Sequence, residues 1–176
     1  MERELKFDRL REIFLYHDIG KAYVPEVILH KAGKLTNEEN RIMQKHTEYG
    51  RQILEDEKYL IGEADERYYS AAMDIAGYHH EWWDGSGYPD GRKGDDIPIA
   101  AQVVALADAY DGLTGKRDKR EALSQEEAVA ALTAGKHGAF NPLLLECLRD
   151  VESRLAEEAE ADRPSSPEKG ILFDKT

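Results

Sequence analysis

Residues 79–91 read HHEWWDGSGYPDG, and this stretch interrupts the helical pattern of the chain. Before it, apolar residues recur at helical spacing from Tyr68 as far as His79. Residues 84–91 consist of Asp, Gly, Ser and Pro around a single Tyr, a composition typical of turns. We therefore predict a long glycine-rich loop between two helices.

Helical signals continue on both sides of this loop. On its N-terminal side, a first helix is predicted to run to about His17. A second helix is predicted to begin at Thr36, which fits a capping box with Glu39, and its inner face extends from Ile42 to Ile53. On its C-terminal side, the spacing predicts three further helices, whose first turns are marked by Pro98, Ser124 and Pro142. No stretch alternates with a period of two, so the predicted fold is an all-α helical bundle.

The length of 176 residues suits one domain. We expect that domain to span residues 1–155. From residue 156 the sequence is acidic, and residues 163–167 contain two prolines that do not continue a helix. Residues 156–176 are therefore predicted to form a flexible tail.

The charge balance excludes one class of function. The chain has 24 Lys and Arg against 36 Asp and Glu, a formal net charge of −12. Proteins that follow a DNA or RNA polymer need clustered positive charge, so we exclude that class of partner. A small anionic substrate is compatible with this balance, because bound divalent cations can reverse the local sign of a site.

Cysteine usage and apolar runs indicate the compartment. Cys147 is the single cysteine and lies among leucines, so we predict a buried thiol and no internal disulfide. No uninterrupted apolar run approaches the roughly 20 residues that span a membrane, and the first residues are charged. We therefore expect a cytoplasmic location and no membrane partner.

Histidines and aspartates fall on or beside the apolar faces of several predicted helices. An unpaired imidazole is costly to bury, so this placement calls for a partner group. Four histidines and two aspartates from different helices favour a nitrogen- and oxygen-ligated metal centre, with two ions bridged by an Asp and a water. The absence of ligating Cys argues against a structural zinc finger. The candidate ligands are His17, Asp18, His46, His79, His80 and Asp108.

The order of these motifs resembles a known family. Residues 17–21, HDIGK, are similar to the HD signature of metal-dependent phosphohydrolases. Residues 79–89 resemble the hallmark of the HD-GYP subfamily, which comprises bacterial cyclic di-GMP phosphodiesterases. The resemblance covers roughly residues 10–150 and includes the segment Phe140, Asn141 and Pro142. The ordered series, rather than the HD dipeptide alone, makes the resemblance specific.

The resemblance implies a role for each matching position. It implies that the six candidate ligands hold the metals, with Asp18 as the bridging carboxylate and iron or manganese as the preferred ion. Lys21 matches the lysine that contacts the phosphate, and Asp111 matches an acidic position that orients water or a ligand imidazole. Arg117 and Arg120 match basic residues that hold the dinucleotide, and Tyr88 either packs against the site or stacks on guanine. Trp82 and Trp83 are interpreted as core residues, and His30 and His137 as ordinary histidines.

The expected activity is hydrolysis of cyclic di-GMP to linear pGpG, with further cleavage to GMP left open. Only sixteen residues precede His17, whereas the family usually has a further helix there with another ligand. We therefore expect the second metal ion to bind more weakly. Three explanations stay open: the chain is a fragment, a partner supplies the missing ligand, or the site binds fewer metals. Two alternatives stay open: a regulatory module that binds cyclic di-GMP or a GGDEF partner without turnover, and a phosphohydrolase for another nucleotide.

Overall fold

The computed structural model describes residues 13–57, 66–116 and 121–161. In these ranges the chain is helical and has no strand, only an isolated bridge between Lys136 and Gly138. The predicted all-α fold is confirmed. The α-helices are, in chain order, α1 (Glu26–Leu29), α2 (Asn37–Gln44), α3 (His46–Glu57), α4 (Glu66–Tyr78), α5 (Ile99–Thr114), α6 (Gln125–Thr133) and α7 (Pro142–Ala161). Two 3₁₀ helices lie at Ile19–Tyr23 and Gly94–Asp96.

The first predicted helix ends earlier than expected. Residues 13 and 14 are helical, residues 15–18 form turns, and the 3₁₀ helix Ile19–Tyr23 follows, so His17 lies in a turn. The tight geometry brings Gly20 onto α3: a Cβ at Gly20 would lie 1.9 Å from the carbonyl oxygen of His46 and 2.4 Å from the amide nitrogen of Gly50. Only a residue without a side chain permits this approach, and it sets the distance between the turn at His17 and α3.

The second predicted helix is two helices. Thr36 and Glu39 form the expected capping box, but α2 ends at Gln44 and α3 begins at His46. The hydroxyl of Thr47 donates to the carbonyl oxygen of Gln44 at 3.0 Å, and Nδ1 of His46 donates to that of Met43 at 2.8 Å. Side chains thus occupy carbonyls that a continuous helix would use, so the chain bends at Lys45.

The C-terminal helices begin nearly where they were expected. Pro98 is the N-cap of α5 rather than its first residue, and the capping box of Ser124 and Glu127 begins α6. The prediction of a buried Cys147 is wrong, because this residue is exposed. Its leucine neighbours Leu144, Leu145 and Leu148 pack against the core, which places Cys147 on the solvent face of α7.

Helix α7 extends to Ala161, six residues beyond the expected end of the domain. The rest of the predicted tail, residues 162–176, lies outside the described residues. None of the described helices is both long enough and apolar enough to cross a membrane. The cytoplasmic location stays a prediction.

The two larger of three apolar clusters among the described residues hold the helices together. Helices α3, α4 and α5 share one cluster, which contains Leu54, Ile75, Ala76 and Val104. The C-terminal half of α5 packs with α6 and α7 in a second cluster, around Leu113, Leu132 and Phe140. Since burying each of the larger side chains stabilises the fold by about 1.5–3 kcal/mol, these clusters fix the helices that carry the polar residues described next.

Candidate metal centre

Four side chains from three separate segments meet at one point. They are Asp18, His46, His79 and His80, and each offers a ligand atom within 4.8 Å of the others. Asp18 immediately precedes the 3₁₀ helix Ile19–Tyr23, His46 begins α3, and His79 and His80 follow the last residue of α4. His46 and His79 are almost completely buried. Residues at the ends of three elements therefore converge in the interior of the bundle.

Three imidazoles are oriented by backbone carbonyls. Nδ1 of His17, His46 and His79 lies 2.7, 2.8 and 2.9 Å from the carbonyl oxygens of Phe14, Met43 and Ile75, respectively. With Nδ1 donating its proton, the neutral imidazole keeps a lone pair on Nε2. This is the tautomer and orientation that metal-binding histidines use.

The two carboxylate oxygens of Asp18 face different groups. Oδ1 lies 3.5 Å from Nε2 of His46 and 3.8 Å from Nε2 of His79. Oδ2 lies 3.4 Å from Nε2 of His17 and 2.5 Å from Nζ of Lys21. On the Oδ2 side, Nε2 of His17 is also 3.9 Å from Oδ1 of Asp108. Asp18 therefore stands between two groups of potential ligands.

The donor set fits a divalent cation. Oδ1 of Asp18 is buried and forms no hydrogen bond with any residue that the structure describes. The facing Nε2 atoms of His46 and His79 are 3.4 Å apart, too close for two protonated imidazoles and compatible with two lone pairs directed at a shared cation. Imidazole nitrogens with a carboxylate oxygen suit first-row divalent metals. The chemistry of these ligand atoms and the unpartnered oxygen both match such an ion.

The local electrostatics keep the imidazoles of His46, His79 and His80 neutral. Burial, with the neighbouring His46 and His17, lowers the pKa of His79 to about 4. Burial, with His79 and His46, likewise lowers the pKa of His80 below its usual range. Burial opposes ionisation of Asp18, but hydrogen bonds from His17 and Lys21 outweigh it and hold the pKa of that carboxyl below its usual range. Near pH 7 the centre contains an ionised carboxylate and three neutral imidazoles that are free to ligate, those of His46, His79 and His80. The hydrogen bond with Asp18 raises the pKa of His17, so a bound cation would have to displace a proton from this imidazole.

Lys21 and Tyr88 touch this centre. Lys21 forms an ion pair with Asp18, so the residue expected to contact phosphate is paired with the central carboxylate. The ring of Tyr88 stacks on His80 at 4.7 Å between centroids and 28° between planes. Burial, with the negative charges of Asp18 and Asp108, raises the pKa of the Tyr88 phenol above its usual range. Of the two expectations for Tyr88, the structure has it packed against a candidate ligand.

One other predicted site residue, Asp111, is not among the described residues whose ligand atoms converge here. It lies one turn after Asp108 on α5 but is exposed. Its predicted role therefore stays a prediction. Arg117 and Arg120 lie outside the described residues.

Glu81 has a role that the sequence interpretation missed. This buried carboxylate accepts hydrogen bonds from the backbone N–H groups of Asp90 at 2.7 Å and Arg92 at 2.9 Å. A glutamate is almost never fully buried without partners, so these two hydrogen bonds explain its burial. In the sequence, its position directly after His79 and His80 is the signal that could have indicated this role. The loop also folds back closely: a Cβ at Gly87 would lie 2.3 Å from the carbonyl oxygen of His80. Glu81 thus anchors the glycine-rich loop beside the candidate ligands.

Trp82 does not lie in the core, where it was expected. Trp82 is 36% exposed rather than packed in the core. It lines a cavity of about 260 Å³ together with His79, His80, Asp108 and His137. An open space therefore adjoins the candidate metal centre, and its outer wall includes an indole and an imidazole.

Comparisons with known proteins agree with the motifs. The model of the HD domain family matches residues 5–143. The 3′3′-cGAMP-specific phosphodiesterase 2 of Vibrio cholerae is 43% identical over 145 residues, which cover 82% of this chain and 26% of that protein. A probable cyclic di-GMP phosphodiesterase of the same organism is 42% identical over 155 residues, covering 84% of this chain and 35% of that protein.

A relative from another organism is also named as a cyclic di-GMP phosphodiesterase. The cyclic di-GMP phosphodiesterase of Thermotoga maritima is 36% identical over 141 residues, covering 80% of this chain and 36% of that protein. The chain spans about a quarter to a third of the length of these curated relatives.

Proposed function

This chain belongs to the HD domain family and to its HD-GYP branch, and from that premise we propose that it is a metal-dependent phosphodiesterase that hydrolyses cyclic dinucleotides. The observation that carries the proposal is the position of Asp18, whose Oδ1 faces His46 and His79 while its Oδ2 faces His17. The relatives named as cyclic di-GMP and 3′3′-cGAMP phosphodiesterases indicate the substrate class. Cyclic di-GMP is the first substrate to test.

The proposed metal centre holds two divalent cations. His46, His79, His80 and Oδ1 of Asp18 would hold one ion. His17, Asp108 and Oδ2 of Asp18 would hold the other. Bound cations lower the pKa of water and neutralise charge that develops on phosphate oxygens. Iron and manganese are the proposed metals, because mixed imidazole and carboxylate sites with open positions suit them.

Backbone carbonyls and neighbouring side chains orient the candidate ligands. The carbonyls of Phe14, Met43 and Ile75 fix the ring orientation of three histidines before any ligand binds. Lys21 lies beside Asp18, where its ammonium group balances the carboxylate and stands next to the position that a phosphate would take. Tyr88 covers one face of His80, so that face is closed to water. Such preorganisation reduces the reorganisation needed during the reaction.

The proposed reaction adds one water across one phosphodiester of the ring. Breaking the bond between phosphorus and the 3′ oxygen gives linear pGpG, with a 5′ phosphate and a free 3′ hydroxyl. A second hydrolysis of pGpG gives two molecules of GMP. The linear dinucleotide is the first product expected.

The direct test is turnover by the purified protein loaded with Mn(II) or Fe(II). We expect conversion of cyclic di-GMP to pGpG, detected by anion-exchange chromatography, and loss of that conversion in His79→Gln. His30→Gln is the matched control, because His30 is exposed and is not among the convergent ligands. Tight binding of cyclic di-GMP without turnover in either metal would instead support a regulatory module, with a GGDEF protein as a partner to test.

A further inference from the structure

Two cavities adjoin beside the proposed metal centre. The first, of about 260 Å³, reaches His79, His80 and Asp108. The second, of about 450 Å³, is bounded by residues 135–139 and by Asp84 and Ser86. Trp82 and His137 line both cavities, so together these form a groove that leads from the centre to the turn after α6. The combined space is of the size that small-molecule sites occupy.

Trp82 is held rigidly in the wall of this groove. A Cβ at Gly138 would lie 3.0 Å from Cε2 and 3.1 Å from Nε1 of Trp82, so the indole packs directly on the glycine backbone. The next residue is tied to the same turn, because the backbone N–H of Trp83 donates to the carbonyl oxygen of Ala139 at 2.8 Å. The indole is therefore backed by the turn on one side and 36% exposed toward the groove. A flat aromatic surface supported in this way is suited to stacking on a nucleobase.

The charged groups of the groove are of both signs. Lys136 and His137 are exposed on the turn that lines the second cavity. Asp108 lies at the inner end, and Asp84 lies at the outer end, where its Oδ1 accepts hydrogen bonds from the backbone and hydroxyl of Ser86. In a chain with a net charge of −12, Lys136 is a lysine that lines the groove and can attract a second phosphate.

We propose that this groove is a second nucleotide subsite, in which Trp82 stacks on the purine of the nucleotide that is not being cleaved and Lys136 binds its phosphate. The inference rests on the proposed function, since a dinucleotide whose reacting phosphate lies at the metals has a second half to be held. Stacking does not distinguish purines strongly, because every base has a π-face. Removing Trp82 should therefore weaken binding of cyclic di-GMP and 3′3′-cGAMP alike.

The kinetic test uses Trp82→Ala and Trp82→Phe. We expect Trp82→Ala to raise KM for cyclic di-GMP roughly 10- to 100-fold, the range typical of loss of a base–aromatic stack, and Trp82→Phe to restore most of the affinity. The rise in KM for cyclic di-GMP should be at least tenfold greater than any rise in KM for methyl p-nitrophenyl phosphate, a diester without a second nucleotide. Val27→Ala, an exposed apolar truncation on α1, is the control and should retain the KM of the unaltered protein.

A binding test is independent of turnover. The chain has two tryptophans, so Trp83→Phe leaves Trp82 as the only indole fluorophore. We expect pGpG to quench this fluorescence, and Lys136→Ala to weaken the binding that the quenching reports. Quenching in a protein that does not hydrolyse cyclic di-GMP would support the subsite and refute the proposed function. Hydrolysis with an unchanged KM in Trp82→Ala, or without quenching in Trp83→Phe, would overturn the subsite and leave the proposed function intact.

Discussion

Oδ1 of Asp18 and Nε2 of His46 face each other at 3.5 Å, and within the described part of the chain the buried carboxylate oxygen forms no hydrogen bond. A buried acceptor without a partner costs about 1–3 kcal/mol, so this contact persists only because the surrounding helices hold it. A divalent cation between the two atoms would satisfy both. The pair therefore marks the position at which metal binding relieves a cost that the metal-free fold carries.

The two sides of Asp18 should bind metal unequally. Among the described residues, one side offers four ligand atoms that converge, whereas His17, Asp108 and Oδ2 of Asp18 are three atoms on the other. Dialysed protein is expected to keep about one Mn(II) and to take up a second at higher concentration, with activity following the second ion. Calorimetric titration with elemental analysis measures both steps. Two ions held with equal affinity would show that a further group completes the weaker side.

Replacing Gly20 should disturb the centre from outside it. In Gly20→Ala the new Cβ would overlap the carbonyl oxygen of His46, so the 3₁₀ helix must move away from α3. We expect a loss of about 1–3 kcal/mol in the free energy of unfolding, together with weaker metal binding. Gly33→Ala is the matched control, because nothing lies within 4 Å of the position that its added methyl group would take, and the change should stay within about 1 kcal/mol. Denaturant unfolding of both variants decides the comparison.

Glu81→Gln should loosen the glycine-rich loop. The amide keeps one acceptor oxygen but directs an NH₂ group at one of two backbone donors, those of Asp90 and Arg92. The expected cost is about 1–3 kcal/mol in the free energy of unfolding, with reduced turnover. Glu38→Gln removes an exposed pair with Arg41 and should change stability by less than about 1 kcal/mol. Equal effects of the two substitutions would contradict the anchoring role of Glu81.

Metal-free protein should lose stability as the pH falls from about 6.5 to 4. The pKa of His79 is lowered to about 4 in the folded state, whereas an unfolded histidine has a pKa near 6.5. Between these values the unfolded chain binds more protons, so stability is full above pH 6.5 and declines below it, approaching about 1.4 kcal/mol per pH unit for one such histidine. Thermal unfolding in metal-free buffer across this range measures the slope. The slope should become shallower in His79→Gln, where His46 and His80 still contribute, and stay unchanged in His30→Gln.

Local sequence patterns predicted most helices correctly, because their signals are contained within a few residues. The capping boxes at Thr36 and Ser124 are examples. The same patterns failed where distant contacts decide the backbone. Gly20 contacts α3 at His46, which lies 26 residues further along the chain. The first helix ends early where the chain makes this distant contact, which no local sequence preference predicts.

The candidate ligands were identified from their placement on predicted helices and from motif order. In the structure His17, His46, His79 and His80 lie close to Asp18, and Asp108 lies near His17. The role of Glu81 could not be anticipated, since its partners are backbone N–H groups that no side-chain pattern reveals. Trp82 was misjudged for a related reason. Its packing on Gly138 depends on how the turn after α6 returns to the loop, which the sequence around Trp82 does not encode.

The central claim is that Asp18 is shared by two metal ions, and the metal content of Asp18→Ala after loading with Mn(II) tests it most directly. Asp56→Ala, an exposed carboxylate on α3 that pairs only with Gln52 among the contacts described, is the matched control. If Asp18 bridges, its removal leaves two cations with neutral histidines and no shared negative charge, so both ions should be lost while the helical content measured by circular dichroism stays unchanged. An Asp18→Ala protein that retains two ions, or that loses only one, would contradict the account.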